Sequence, residues 1–500
     1  MRQPDHPTSS DPDSTSPRVA VVGATGYVGG RLIPELLNRG VPVRALARTP
    51  AKLEGRTFFG NPLLTIARAD VFEPDTLMPA LTGIHDAYYL VHSLGGGADF
   101  DERDAQAART FGRACAEAGV QRIIYLSGLG REDDPTLSEH LRSRHRTGAA
   151  LREAGVPVVE LRAAIIIGSG SASFDIVHDL VRKLPIMVTP LWVNTLCEPI
   201  AIRDVVEYLI GALGLPSGMD DTFEIGGGEV MTYRRMLQLC GDELGRRPHI
   251  VGVPVLTPRL SSWWLHLVTS VDFTVAQPLV EGLRSDVVCT DTRICDLIPL
   301  ERTPYREALH RALVRQAGAE RWSSWTDARQ AAGRALKRPA GAQAPARPAA
   351  AFRRHDYRSF DTDLPPDAVF NRLTELGGDN GYGGGVDVLW HVRGIIDRLL
   401  RGPGLRRGRP PGQLHEGDPL DFWRVHRLDR PDRLVLDAEM LVPGTARLDF
   451  RVEPLPGGGS RLHQLATLEG DTLLVPLYWY AVLPVHGLVF QQLGRHIVEP

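Results

Sequence analysis

The N-terminal part of the chain alternates short apolar runs with stretches of helical periodicity. The first run, Val-Ala-Val-Val at positions 19–22, has the length of a strand and ends in a segment rich in glycine. Apolar positions then recur at helical spacing over residues 31–37. Strands that alternate with helices in this way predict an α/β fold with a doubly wound parallel sheet. Further strand-like runs follow at 41–47, 63–67, 87–93, 123–127 and 161–168.

The glycines after the first strand predict a phosphate-binding turn. Gly23 and Gly26 allow the backbone to turn tightly and to approach a pyrophosphate, and Gly29 allows the next helix to pack against the strand. The N-terminus of that helix supplies free N–H groups and the positive end of a dipole. A strand before the glycines and a helix after them is the context that a dinucleotide-binding turn requires. The residues predicted to contact the cofactor here are Gly23, Thr25, Gly26, Tyr27, Val28 and Gly29.

The end of the second strand indicates which nucleotide binds. NAD sites usually place an acidic residue there, on the ribose 2′-OH, whereas an arginine accommodates the 2′-phosphate of NADP. This chain has no acid at that point and carries Arg48, followed by Lys52. NADP(H) is therefore favoured over NAD(H), and a solvated loop arginine is the alternative. After the third strand, Asp70 is predicted either to bond the adenine amino group or to cap the helix that begins near Pro74.

Together these motifs resemble the short-chain dehydrogenase/reductase superfamily, and within it the atypical bacterial NAD(P)-binding members. The resemblance covers roughly residues 17–315. It implies a Rossmann-type sheet, a substrate side that begins near residue 168, and cofactor contacts that include Val71, Val91 and His92. The matching segments are the glycine turn, Arg48, Asp70-Val71, 87–93, 123–127, 161–168 and 199–205.

The catalytic positions depart from the pattern of that superfamily. Its members carry a serine at the end of the fifth strand and a Tyr-x-x-x-Lys pair about a dozen residues later. Here Ser127 stands in the expected place, but His140 and Arg144 replace the tyrosine and the lysine. The resemblance implies that Ser127 donates a hydrogen bond to the substrate oxygen, that His140 acts as the general acid, and that Arg144 holds the nicotinamide ribose. The alternative is a surface helix with a basic face and no proton chemistry.

Two electrostatic expectations follow from this pair. The unperturbed pKa of a histidine, about 6.5, lies nearer neutrality than that of a tyrosine, so a histidine needs less tuning to act as an acid. The positive charge of Arg144, one helical turn away, should nevertheless lower the pKa of His140.

The residues leave two functions open. The favoured one is an NADP(H)-dependent oxidoreductase that acts on an unidentified small-molecule carbonyl or alcohol. Trp263, Trp264 and Phe273 lie in an apolar stretch that is predicted to form core or pocket wall, and this apolar bias indicates a substrate that is not highly charged and favours an apolar one. The alternative is a sensor or scaffold protein that binds NADP(H) without turnover, because the Tyr-x-x-x-Lys pair is altered.

The composition of the chain changes near residue 333. Residues 333–351 lack apolar periodicity and are predicted to form a linker, and 352–500 are predicted to form a second domain. A helix near 366–376, several strands and a long apolar helix over 477–497 follow one another there. This order resembles the START/polyketide-cyclase-like helix-grip fold, and the uncharacterised C-terminal domain of some bacterial atypical reductases. The predicted strands are 421–428, 433–441, 446–453 and 460–467.

Residues 472–494 contain no Asp, Glu, Lys or Arg and are long enough to span a bilayer. Pro476, Pro484 and Gly487 interrupt the stretch, and it follows strands that need a cover. A buried helix over the sheet is therefore favoured, and membrane association is the alternative. The basic run 401–409 fits anionic lipid, a ligand phosphate or a solvated loop.

Composition and charge set the remaining expectations. The formal net charge of −3 over 500 residues provides no field that favours nucleic acid. Five scattered cysteines form no Cys-x-x-Cys pair, so neither a metal site nor a disulfide is expected. Residues 1–17 lack the pattern of a signal peptide and are predicted to be a disordered tail of a cytoplasmic protein, with the Rossmann-type domain over 18–332. The sequence carries no signal for an oligomeric state or for the ligand of the second domain.

Overall fold

The structure is a computed structural model. It describes residues 19–54, 56–91, 100–135, 137–253, 269, 271, 273–283, 285–317, 323, 352–383, 387–399, 404–405, 409 and 413–499.

The described strands and helices are numbered in chain order. The strands are β1 (Val19–Val22), β2 (Val43–Ala47), β3 (Leu64–Arg68), β4 (Asp86–Tyr89), β5 (Arg122–Gly128), β6 (Val158–Ala163), β7 (Ile166–Ile167), β8 (Ile186–Pro190), β9 (Leu196–Cys197), β10 (Ile200–Ala201), β11 (Asp221–Ile225), β12 (Met231–Thr232), β13 (His249–Val253), β14 (Phe352–Thr362), β15 (Pro419–Leu420), β16 (Trp423–Asp429), β17 (Arg433–Ala438), β18 (Thr445–Pro454) and β19 (Ser460–Gly470). The helices are α1 (Gly29–Asn38), α2 (Pro74–Leu81), α3 (Phe100–Glu117), α4 (Glu139–Arg152), α5 (Ala172–Lys183), α6 (Ile202–Gly211), α7 (Tyr233–Glu243), α8 (Phe273–Gly282), α9 (Arg293–Leu297), α10 (Tyr305–Ala317), α11 (Pro366–Glu375), α12 (Asp387–Leu399) and α13 (Leu474–Val498).

The first of two compact units comprises residues up to 168, 195–231 and 284–308. Its centre is a seven-stranded sheet with the order β11-β6-β5-β4-β1-β2-β3, in which all neighbouring strands are parallel. The strand order reverses at β1, where Val19 pairs with Val43 of β2 on one side and with Asp86 of β4 on the other. In open α/β sheets the ligand binds at the carboxyl ends of the strands beside such a reversal. The predicted doubly wound parallel sheet is thus confirmed.

Both faces of this sheet are buried, which explains why its strands read as continuous apolar runs. Successive side chains of a strand point to opposite faces. Val19 and Val21 accordingly belong to one hydrophobic cluster with Leu32 and Leu36 of α1. Ala20 and Val22 belong to a second cluster, which Phe111 of α3 joins.

The second unit comprises residues 169–194, 232–283 and 309–500. Its largest element is a six-stranded antiparallel sheet with the order β14-β19-β18-β17-β16-β15. Helices α11 and α13 pack on it through buried residues such as Phe370, Leu373, Phe490 and Leu493. A helix, antiparallel strands and a long final helix occur in the predicted order. The START-like assignment stays a prediction, and the predicted linker lies outside the described residues.

The long final helix differs from the expected buried cover. The second half of α13 enters the core through Val489, Phe490, Leu493 and Ile497. The first half contributes only Val475 and Trp479 to a small separate cluster and leaves most of its leucines exposed. The physical reason is that the main core of this domain reaches α13 only from residue 489 onward.

Candidate cofactor site and catalytic residues

The glycine turn after β1 has no room for a side chain at Gly23 or Gly29. Gly23 has φ +88°, and a Cβ atom there would lie 2.6 Å from the carbonyl oxygen of Leu90, at the end of β4. A Cβ atom on Gly29 would lie 2.4 Å from the carbonyl oxygen of Gly23. The amide of Gly26 donates a 2.9 Å hydrogen bond to that same oxygen. The turn therefore forms a closely packed cradle at the reversal point of the sheet, and it depends on glycine at positions 23 and 29.

The start of α1 is suited to a phosphate. Val28 precedes the helix, no side chain caps it, and its first turn holds no acidic residue. The first amides of a helix and its dipole together favour an anion. The residues present thus fit the pyrophosphate of a dinucleotide, with Thr25 and Gly26 between the strand and the helix.

Tyr27 and Arg31 lie in contact beside the glycine turn, and only Tyr27 was predicted from the sequence. A Cβ atom on Gly168 would lie 2.5 Å from the Tyr27 hydroxyl oxygen, so the end of β7 approaches the glycine turn closely. The guanidinium carbon of the buried Arg31 lies 4.8 Å from the centroid of the Tyr27 ring. The sequence did not predict a role for Arg31. The signal that could have found it is a cation two residues after Gly29, in the first turn of α1.

The structure decides one of two interpretations of Asp70. Its carboxylate accepts a 3.0 Å hydrogen bond from the amide of Phe72, within a turn. Glu73, not Asp70, immediately precedes α2, and no side chain caps that helix. The capping interpretation is therefore wrong, because Asp70 lies too far before the helix and is engaged in its own turn. The adenine contact stays a prediction.

The other predicted cofactor residues lie at the carboxyl ends of their strands. Arg48 follows β2 directly and is exposed, Val71 is buried after β3, and Val91 is partly buried after β4. His92 lies outside the described residues, as do Trp263 and Trp264 on the predicted substrate side.

Ser127 is the penultimate residue of β5, at the carboxyl edge of the sheet, and is the clearest sign of a ligand. Its hydroxyl is buried and makes no well-formed hydrogen bond within the described part of the chain, although the Tyr125 hydroxyl lies near enough to interact with it. Buried polar groups in native proteins are nearly always hydrogen-bonded, to protein, water or ligand. A cofactor or substrate atom at this edge would supply the missing partner.

Helix α4 brings Arg144 to the end of β5, and His140 lies one helical turn before it. Ser138 caps the helix by accepting a 3.3 Å hydrogen bond from the amide of Leu141. Arg144 donates to the carbonyl oxygen of Leu126, and its guanidinium carbon lies 5.5 Å from the ring centroid of Tyr125. Arg144 thus fixes α4 against the end of β5, next to Ser127.

The basic residues of α4 make specific contacts. Arg142 pairs with Glu139 at 2.6 Å, and Arg146 pairs with Asp101 of α3. His145 is buried, with its Nε2 atom 3.1 Å from the carbonyl oxygen of Gly128. The basic residues of α4 are therefore paired or turned toward the sheet.

His140 is held in its neutral form. Burial, and secondly the charge of Arg144, lower its pKa from the ordinary 6.5 to about 3. The predicted direction of this shift is confirmed, but the shift moves the group away from neutrality. At neutral pH His140 is an uncharged imidazole that can donate one N–H and accept at the other nitrogen.

This pKa makes stability depend on pH. In the unfolded chain His140 becomes protonated below about pH 6.5, whereas in the folded protein it becomes protonated only near its lowered pKa of about 3. Folding stability from this group is therefore complete above pH 6.5 and is lost as the pH falls. We expect a loss of about 1–2 kcal/mol between about pH 7.5 and 5. Urea unfolding should show that His140→Asn removes this part of the acid sensitivity, whereas the variant of the exposed His249, His249→Asn, keeps it. Equal acid sensitivity in the His140 variant would contradict the assignment.

Comparison with known proteins gives two separate matches. Residues 23–168 match a family described as NAD(P)H-binding. Residues 349–493 match a family described as a protein of unknown function (DUF2867). Together with the seven-stranded parallel sheet, the first match identifies an NAD(P)-binding Rossmann domain in the N-terminal unit.

Individual relatives of the Rossmann domain are reductases with different substrates. The chain is 32% identical over 120 residues to cinnamoyl-CoA reductase 1 of Oryza sativa subsp. japonica, a stretch that covers 22% of this chain and 34% of that protein. It is 26% identical over 252 residues to the chloroplastic divinyl chlorophyllide a 8-vinyl-reductase of Zea mays, covering 47% and 62% of the two chains. The match thus spans less than two thirds of either relative.

Solved structures of low identity also match the chain. The triphenylmethane reductase of Citrobacter sp. complexed with NADP(H) is 19% identical, with a TM-score of 0.48, over 59% of this chain and 99% of that chain.

Proposed function

We propose that this protein is an NADP(H)-dependent oxidoreductase that acts on a small, apolar carbonyl or alcohol. The observation that carries the proposal is the buried Ser127 hydroxyl, which makes no well-formed hydrogen bond within the described residues, at the edge of the sheet that also holds the glycine cradle. Because β1 and β5 are parallel strands of one sheet, their carboxyl ends lie at the same edge. A dinucleotide in the cradle and a substrate oxygen at Ser127 would therefore share one site.

NADP(H), when bound, supplies or accepts the hydride. Ser127 donates a hydrogen bond to the substrate oxygen, and neutral His140 donates a second one through its imidazole N–H. Two such donors stabilise the negative charge that develops on the oxygen during hydride transfer to a carbonyl. Because the pKa of His140 is about 3, the imidazole lacks the acidic second proton of an imidazolium at neutral pH. Solvent therefore protonates the resulting alkoxide. His140 thus acts as a donor rather than as the general acid that the sequence suggested.

Arg144 acts in this proposal as a positioning residue. Its bond to the Leu126 carbonyl fixes the first turns of α4, and its charge keeps His140 neutral. The contact to the nicotinamide ribose, which the resemblance implies, is part of the same proposal.

Arg48 should give the site its preference for NADPH over NADH. A charge-assisted contact between guanidinium and phosphate is worth about 1.5–3 kcal/mol. Isothermal titration of Arg48→Ala should therefore show roughly a 10- to 100-fold loss of NADPH affinity and little change for NADH. Arg68→Ala is a matched control, because Arg68 also lies at the carboxyl end of a strand, β3, where it pairs with Glu73 at 2.9 Å. Equal affinity of the parent protein for both nucleotides would refute the preference.

The reaction itself is tested with the full chain and a panel of apolar aldehydes, ketones and enones. We expect NADPH oxidation with at least one compound, with transfer of deuterium from labelled NADPH to the product. Tight NADPH binding without deuterium transfer to any member of the panel would favour the sensor or scaffold function instead.

A further inference from the structure

The second unit exposes an unusual number of large apolar side chains on two helices. In the first half of α13, Leu477 is 68% exposed and Tyr480 is 57% exposed. Single exposed leucines are ordinary on soluble proteins, whereas contiguous groups mark interaction surfaces. The exposed apolar residues at the start of α13 are Leu473, Leu474, Leu477, Tyr480, Leu483, Val485 and Leu488.

Helix α12 carries a second exposed stripe. Val388, Val392, Ile395 and Ile396 recur at helical spacing and are all exposed. The opposite side of this helix enters the core through Trp390, whose ring centroid lies 6.0 Å from that of Phe490 in α13. The stripe is therefore a second apolar face, separate from the one that holds α12 in the domain.

The loop after β17 joins the two helices into one surface. The amide of Leu441 donates a 2.7 Å hydrogen bond to Asp397 of α12, and Arg393 of α12 donates to the Leu441 carbonyl at 2.9 Å. The next residue, Val442, packs against the cluster of Val475 and Trp479 in α13. Leu441 itself is exposed. We call the exposed residues of α12, Leu441 and the first half of α13 the apolar surface.

The charges next to the apolar surface are of both signs along the chain: the exposed Asp471 precedes α13, and arginines follow α12 in the sequence. Residues 472–494 carry no charged side chain. The acidic groups of α12 are turned inward: Asp397 is buried and accepts from the amides of Gly404 and Leu441, and Asp387 accepts from the amide of Tyr382. In the sequence, Arg401, Arg406 and Arg407 follow α12, and no acidic residue occurs between the end of α12 and Glu416.

We propose that the apolar surface docks this protein on a phospholipid bilayer that contains anionic headgroups. Apolar helices flanked by arginine bind the boundary between headgroups and acyl chains, and tyrosine and tryptophan are favoured at that depth. Tyr478 and Tyr480 lie on the first half of α13.

The protein lies on the bilayer and does not cross it. Among the described residues, α13 is the one helix long and apolar enough to span a membrane. Its second half, however, is anchored in the core of the domain by Phe490, Leu493 and Ile497. The helix can therefore insert only its exposed face.

Vesicle flotation of the full chain tests the proposal. Vesicles of phosphatidylcholine alone are compared with vesicles that also contain phosphatidylglycerol. We expect the parent protein to float with the anionic vesicles and to float less with the neutral ones. The variants Leu474→Gln/Leu477→Gln and Val392→Gln/Ile395→Gln should each lower the floating fraction roughly tenfold, since each removes two exposed apolar side chains.

Ile186→Gln/Val188→Gln is the matched control, because both residues are exposed on β8, outside the apolar surface. It should float as the parent does, and circular dichroism should show that all variants stay folded. A parent protein that stays at the bottom of the gradient, or surface variants that float as well as the parent, would overturn the proposal. So would a dimer in sedimentation velocity that the surface variants dissociate without any change in flotation.

Discussion

Replacing Gly29 with alanine should abolish useful binding of NADP(H). The new Cβ atom would lie 2.4 Å from the Gly23 carbonyl oxygen and 3.0 Å from the Ala24 Cα atom. Both are backbone atoms of the cradle, so no flexible side chain can move aside. Either α1 shifts away from β1 or the cradle opens, and in both cases the helix N-terminus leaves the phosphate position. We expect NADPH affinity to fall at least 100-fold, about 2.7 kcal/mol, with a loss of stability of about 1–3 kcal/mol typical of overpacking.

Gly214→Ala is the matched control in the same unit. A Cβ atom on Gly214 would have no other atom within 4 Å, so both affinity and stability should change little. Fluorescence titration with NADPH and thermal unfolding measure the two effects separately. A Gly29→Ala protein that binds NADPH as the parent does would show that the cradle holds no pyrophosphate.

The cradle was predictable because every signal for it is local. A strand-length apolar run, a positive-φ glycine and the start of a helix lie within eleven residues, and each follows from backbone geometry alone. The parallel sheet was predictable for the same reason, since strands buried on both faces read as continuous apolar runs.

The second unit was harder to predict because two of its elements lack a clean period. Strand β14 lies at the edge of the antiparallel sheet, and charged residues such as Arg353, Arg354 and Asp356 break its alternation. Helix α12 carries apolar residues on two sides, one facing the core through Trp390 and one exposed through Val388 and Val392. A helix that is apolar on two sides gives no single stripe from which its buried face could be identified.

Side-chain partners were the part of the site that spacing could not reveal. The distance of four residues between His140 and Arg144 placed both on one face of α4, as observed. It could not show that Arg144 bonds the Leu126 carbonyl or that burial would lower the pKa of His140 so far. For α13, a charge-free sequence has the same composition whether it covers a core or faces lipid, so only the structure distinguishes its two halves.

Removing the hydroxyl of Ser127 should lower the rate of the reaction without lowering the stability of the fold. Because its oxygen atom is buried and makes no well-formed hydrogen bond within the described residues, Ser127→Ala removes at most a weak contact with the Tyr125 hydroxyl, which bonds the Arg144 carbonyl instead. Its unfolding free energy should match or slightly exceed that of the parent. Its rate of NADPH oxidation, with a carbonyl compound that the parent reduces, should fall roughly 10²–10³-fold, as for loss of one donor to a developing oxyanion.

Replacement of His140 should reduce the same rate by a similar factor and should reveal which chemistry the imidazole performs. His140→Ala removes the second donor, so we expect a loss of roughly 10²–10³-fold in turnover with little change in NADPH affinity. His140→Asn restores an N–H donor but no titratable group, and it should recover most of that loss if His140 acts as a neutral donor.

Because the pKa of His140 is about 3, the parent rate should show no inflection from this residue between about pH 5 and 8. His85→Ala, at the opposite end of the sheet before β4, should leave turnover unchanged. Failure of the asparagine variant to recover activity, together with an inflection near neutrality that His140→Ala abolishes, would restore the general-acid role. Unchanged turnover in His140→Ala would remove this residue from the reaction.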